Sequence, residues 1–186
     1  MPVFAWSGVG ETWLAELAEI EWTRDGLRAG GVQLGADPVL YRADYSLEAG
    51  PDWVTRRLAV QVRASDGERR LELRHDGAGG WTADGVPFGA TLQRALDCDL
   101  AYSPVTNLMP VRRHALHQRP GTQDSVVAWV SLPDLSVRAA TQRYEHLRPG
   151  LVRFSALGAK PPFTADLELD DDGVVLTYPQ LTRRVR

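Results

Sequence analysis

Two carboxylates and two histidines are the groups best spaced for chemistry. Asp97 and Asp99 flank Cys98, and residues two apart on an extended strand share a face. Paired carboxylates can divide acid and base roles, because like charges push their pKa values apart. They also bind arginine forks, and in a chain this rich in arginine ion pairing is the expected role. Cys98 would then face the other way as a small buried apolar group. His114 and His117 are three residues apart. On a strand that spacing puts them on opposite faces, so they do not read as a metal pair. His75 and His146 lack a cysteine or carboxylate at ligand spacing, and no metal site is expected. Asp170, Asp171 and Asp172 precede Gly173, but no glutamate holds the twelfth position of a calcium loop, and a solvated hairpin tip is expected.

No nucleophile elbow, phosphate-binding loop or dinucleotide fingerprint is present, so no cofactor is expected. The net charge of −3 supplies no basic surplus for nucleic acid. Lys160 is the only lysine, and arginine carries the rest of the positive charge. A single cysteine rules out an intrachain disulfide. No run of about 18 apolar residues exists to span a membrane. Pro2 to Trp6 is too short and uncharged to begin a signal peptide. These features together point to the cytoplasm.

The elements that would position these groups are strands. Asp25-Gly26, Asp66-Gly67, Asp84-Gly85 and Asp172-Gly173 each sit between apolar or alternating runs, and Asp-Gly supplies the positive φ of a tight hairpin. Leu58, Val60 and Val62 alternate with more polar neighbours. Phe163, Ala165, Leu167 and Leu169 alternate with Thr164, Asp166 and Glu168, the pattern of a half-buried strand. Val126 to Leu132 is apolar on both faces and reads as covered on both sides. Glu11 to Trp22 has both helical and alternating spacing, and the hairpin signal at Asp25-Gly26 favours strand. Short helical turns are expected within Pro87–Leu96 and Pro104–Met109, the latter cut short by Pro110. The reading is mainly β: about ten to twelve short strands in an antiparallel meander forming an open or half barrel, as one domain over residues 1–186.

The stretch Asp97-Cys98-Asp99, then Ser103-Pro104-Val105-Thr106-Asn107-Leu108-Met109-Pro110-Val111-Arg112-Arg113, is distinctive. It resembles the core of the Putative glycolipid-binding family of bacterial proteins. Asp52-Trp53-Val54-Thr55-Arg56, Gly80-Trp81, Gln142-Arg143-Tyr144 and Tyr178-Pro179 fit the same family in the same order. The resemblance implies an antiparallel sheet shaped like an opened barrel, similar to bacterial carriers of lipoprotein acyl chains. It also implies a non-enzymatic protein that holds a glycolipid or other amphiphile, such as a fatty-acyl ligand.

On that reading, six tryptophans are candidates for more than an ordinary core, because an indole offers a large apolar face and one donor. Trp53, Trp81, Trp129, Tyr144 and Tyr178 are expected to line a concavity. Arg57, Asn107, Arg112 and Arg113 would form its polar rim, with Asp99 beside them. Asp97 and Asp99 would pair with Arg112 and Arg113. Two other readings stand beside this one. One is a hydrolase-like enzyme using Asp97 or Asp99 on a small apolar or glycosylated substrate. The other is an oligomeric scaffold.

Overall fold

The computed structural model describes residues 1–10 and 13–185. Glu11, the first residue of the ambiguous segment, lies outside them. From Leu14 onward that segment is a strand. In chain order the first strands are β1 (Val3–Gly8), β2 (Leu14–Trp22), β3 (Leu27–Gly35), β4 (Tyr41–Ala49), β5 (Thr55–Ala64) and β6 (Gly67–His75). Two short strands follow, β7 (Trp81–Ala83) and β8 (Val86–Pro87), and then β9 (Ala95–Leu100). A helix, α1 (Leu108–Arg113), precedes β10 (Thr122–Val130), β11 (Val137–Arg148) and β12 (Leu151–Leu157). The chain ends with β13 (Phe163–Leu169), β14 (Val175–Tyr178) and β15 (Thr182–Arg184).

Among the described residues these fifteen strands form one sheet, in the order β8-β7-β6-β5-β4-β3-β2-β1-β15-β14-β13-β12-β11-β10-β9. The count exceeds the ten to twelve expected, because β7, β8 and β15 are too short to display a period of two. β8 and β9 form the two edges, so the sheet does not close into a barrel. It does curl. Thr55 of β5 and Cys98 of β9 are far apart in the strand order, yet the Cys98 backbone N–H donates to Thr55 Oγ1 at 3.1 Å. Trp81 Nε1 likewise donates to the Ala95 carbonyl at 3.0 Å.

Every neighbouring pair is antiparallel except β9 and β10, which are parallel. A parallel pair cannot be joined by a tight turn and needs a long crossover. That crossover, 101–121, carries the distinctive motif. It includes a 3₁₀ turn, Val105–Asn107, and then α1. Ser103 to Val111 are all buried. Pro110 does not end the helical segment. It is the third residue of α1, where its missing N–H would have no intrahelical partner in any case.

One face of each strand from β2 to β6 is buried. In β4, Tyr41, Ala43, Tyr45, Leu47 and Ala49 point inward, and their neighbours are exposed or half-buried. These side chains, with Val105, Leu108 and Met109 of the crossover, form one core cluster. Val111 and Leu116 enter a second cluster built on β11 to β14. The crossover therefore fills the space inside the curl and joins the two cores. The outer face of β4 to β6 carries arginine–carboxylate pairs, such as Arg42–Asp44, Arg57–Glu72 and Arg74–Glu72. Exposed pairs of this kind add little to stability, because water and salt screen them.

Three of the Asp-Gly pairs supply a left-handed glycine, at Gly67, Gly85 and Gly173. Gly26 does not. It is required for closeness: a Cβ there would lie 2.2 Å from the Ala49 carbonyl oxygen.

Candidate functional site

Asp97 and Asp99 share a face of β9, but their surroundings differ. Asp97 is 1% exposed and receives a two-pronged ion pair from Arg113, with Nη1 to Oδ2 at 2.9 Å. Burial pushes the Asp97 carboxyl up, and the guanidinium pulls against that. Arg113 also donates to the backbone carbonyls of Asp52 and Trp53, at 2.9 and 2.8 Å. Both of those residues sit at φ of 60°, a left-handed conformation that costs a non-glycine residue energy. Arg113 thus clamps β9 and α1 onto a strained turn.

Asp99 has no arginine or lysine partner among the described residues. Its Oδ1 accepts from Thr106 Oγ1 at 2.8 Å and its Oδ2 from Gln142 Nε2 at 2.5 Å. Removal from water pushes its carboxyl up to about 6, while these two neutral donors act in the opposite direction.

Asp99 stands in the wall of a cleft of about 460 Å³, within the size range of small-molecule sites. The room comes from short side chains. Ala139 and Ala140 of β11, Ala156 of β12, and Gly158 and Ala159 beyond it leave space where larger residues would fill it. The crossover supplies the opposite wall, through Ser103 and Asn107. Phe154, Phe163, Tyr178 and Leu181 make the apolar part. Trp129 lines the cleft with Arg138, whose guanidinium carbon is 4.3 Å from the indole centroid.

Asp99, Asn107, Trp129 and Tyr178 therefore come together at one cleft. Tyr144 stands behind it, donating from its hydroxyl to Asn107 Oδ1 at 2.9 Å. The other proposed residues lie elsewhere. Trp81 is buried in the core, stacked on His75 at 4.8 Å. Arg57 bonds Glu72 and Ser46 on the outer face. Trp53 packs under Arg112, whose guanidinium is 4.8 Å from its ring centroid and 5.5 Å from that of Trp22. Arg112 also donates to the Asp172 carbonyl at 3.0 Å.

Sequence reasoning missed a group beneath the cleft. Glu16 is 2% exposed. Its Oε1 accepts from Tyr45 Oη and Ser103 Oγ, both at 2.7 Å, and its Oε2 from Gln33 Nε2 at 3.2 Å. Tyr41 Oη in turn donates to Gln33 Oε1 at 2.8 Å. Burial pushes the Glu16 carboxyl up to about 7 against these bonds. The tyrosines reach their partners because they lie across glycines on the adjacent strand. Gly31 pairs with Tyr45, and Gly35 with Tyr41. A Cβ on Gly31 would be 2.5 Å from the Tyr45 ring. The signal was present in β2: the inward period through Leu14, Ala18 and Ile20 passes through Glu16.

No cluster of three or more metal-ligating side chains occurs among the described residues. His114 and His117 lie in the turn after α1, not on a strand as their spacing was read. No helix among the described residues is long and apolar enough to cross a membrane.

No curated protein matches the chain. Among solved structures, a DUF1089 family protein from Pseudomonas aeruginosa superimposes with a TM-score of 0.81. It is 28% identical, and the match covers 91% of this chain and 92% of that one. The family model described as Putative glycolipid-binding matches residues 3–184. With nearly every strand and the whole buried crossover inside that match, the chain belongs to the Putative glycolipid-binding family.

Proposed function

We propose that residues 1–186 act as one non-enzymatic binding domain that holds a glycolipid or similar amphiphile in the cleft between β11–β12 and the crossover. The observation that carries this reading is the cleft's division into two chemistries. Asp99, which keeps acceptor capacity beyond its two bonds, stands in the lining with Thr141, Asn107 and Gln142, and Phe154, Phe163 and Leu181 add apolar surface. A head group would meet the first and a hydrocarbon tail the second. Each methylene removed from water contributes about 0.8 kcal/mol. The family's description as glycolipid-binding supports the same reading.

The cleft's chemistry also favours binding over hydrolysis. Asp99 is the one carboxylate lining it among the described residues, and glycoside hydrolysis ordinarily needs two. Asp97, the obvious second, is taken up by Arg113.

Native mass spectrometry of the full chain, with and without added octyl glucoside, tests this. A one-to-one complex that disappears in Ala156→Phe, with the fold unchanged by circular dichroism, is expected. Binding unaffected by that filled cleft, or no binding of any amphiphile, would refute it.

A further inference from the structure

We propose that the cleft selects amphiphiles with uncharged, hydroxyl-rich head groups and discriminates against those carrying a phosphate, sulfate or carboxylate. This deepens the reading of the cleft as an amphiphile site and rests on it.

Among the described residues, Asp99 is the only acidic one lining the cleft and Arg138 the only basic one. Asp99 accepts two hydrogen bonds, both from neutral donors. A carboxylate has about four acceptor sites, so it can still receive ligand donors. An ionised phosphate or sulfate head group brings acceptors alone, and a glucuronide keeps its hydroxyls but adds a carboxylate, so each brings a charge of the same sign as Asp99.

The neutral groups of the polar wall do not reverse this. The Ser103 hydroxyl is given to Glu16 at 2.7 Å. The Asn107 amide nitrogen faces the carbonyls of Ser103 and Pro104, and its oxygen accepts from Tyr144. Gln142 turns its amide nitrogen to Asp99. The hydroxyls of Thr141 and Tyr178, whose residues also line the cleft, both donate and accept, as sugar hydroxyls do. No cation stands among them.

Arg138 is the one group that argues the other way. It is exposed and lies over the Trp129 indole at 4.3 Å. Its charge is open to water and salt, which screen its attraction for an anion. Arg113, the arginine that holds a buried oxyanion firmly, is already paired with Asp97.

The test compares three amphiphiles with the same tail: octyl glucoside, octyl glucuronide and octyl phosphate. Each is titrated into the full chain at pH 8 by calorimetry, below its micelle threshold. The glucoside is expected to bind at least tenfold more tightly than either anion. In Asp99→Asn the margin should shrink to threefold or less. Arg138→Gln should leave the wild-type ranking in place. Equal binding of the three, or tighter binding of octyl phosphate that Arg138→Gln abolishes, would overturn the selectivity while leaving the amphiphile site intact. Failure of all three to bind would overturn both. The wild-type ranking decides the matter even if Asp99→Asn does not fold.

Discussion

The Ser103 hydroxyl donates to Glu16 Oε1 across 2.7 Å, joining the lining of the cleft to a carboxyl buried in the first half of the sheet. The Glu16 carboxyl is pushed up to about 7 from an ordinary value of 4.5. Between those two pH values the unfolded chain releases this proton and the folded chain keeps it. The contribution of Glu16 to stability is therefore highest below pH 4.5, falls as pH rises to 7, and levels off above. The full loss is about 3 kcal/mol. Urea unfolding of wild type and Glu16→Gln from pH 4 to 8 should show the wild type losing that amount relative to the variant. A constant difference across the range would show that Glu16 does not titrate as described.

Arg113→Ala should be far more damaging than an ordinary surface arginine change. It leaves Asp97 buried without its partner and frees the carbonyls of Asp52 and Trp53. Breaking such a pair costs about 3–5 kcal/mol. Arg70→Ala, on the exposed outer face, should cost less than about 1 kcal/mol. Denaturant midpoints of the two variants, measured side by side, check the contrast.

Two adjacent glycines separate packing from propensity. A Cβ on Gly31 would strike the Tyr45 ring at 2.5 Å, whereas one on Gly30 meets nothing nearer than 3.9 Å. Gly31→Ala is expected to lower stability by about 1–3 kcal/mol and to shift Tyr45 away from Glu16. Gly30→Ala should be neutral or slightly stabilising. Thermal melts supply the first comparison, and the tyrosine near-ultraviolet circular dichroism supplies the second.

Ligand binding should depend on pH through Asp99, whose carboxyl is pushed up to about 6. Above that value it is ionised and accepts hydrogen bonds well. Below it, protonation removes acceptor capacity, and affinity for octyl glucoside should fall several-fold between pH 7 and 5. Asp99→Asn should bind more weakly and with a flat profile. A steep profile retained in the variant would assign the titration to another group.

Much of the sheet was legible because one-sided burial writes a period of two into the sequence. Phe163 to Leu169 shows it cleanly, with Ala165, Leu167 and Leu169 buried as the alternation requires. Glu16 and Gln33 keep the inward register of their strands but interrupt its apolar run, so the register was there to find while the residues themselves did not stand out. The crossover was recognised as distinctive but not as interior: nothing local in Thr106 or Asn107 shows that β9 pairs in parallel with β10. The arginine pair was half legible. Consecutive residues on a helix point about 100° apart, so Arg113 reaches Asp97 while Arg112 turns to Trp22 and Trp53. Asp99 was left without a guanidinium for that geometric reason, and its place in the cleft follows.

The middle of the sheet is where β1 meets β15, through Trp6, Ser7 and Gly8 opposite Arg184, Arg183 and Thr182. The Trp6 indole N–H reaches the Val175 carbonyl at 2.8 Å across 169 residues of chain. Each flanking ribbon is sewn mainly by turns between consecutive strands, but this seam must be closed by segments from opposite ends of the polypeptide. Such distant contacts carry a high loop-closure cost, since the long intervening chain must be immobilised before they form. The width of the sheet is thus fixed at its centre by two of the segments most distant in sequence.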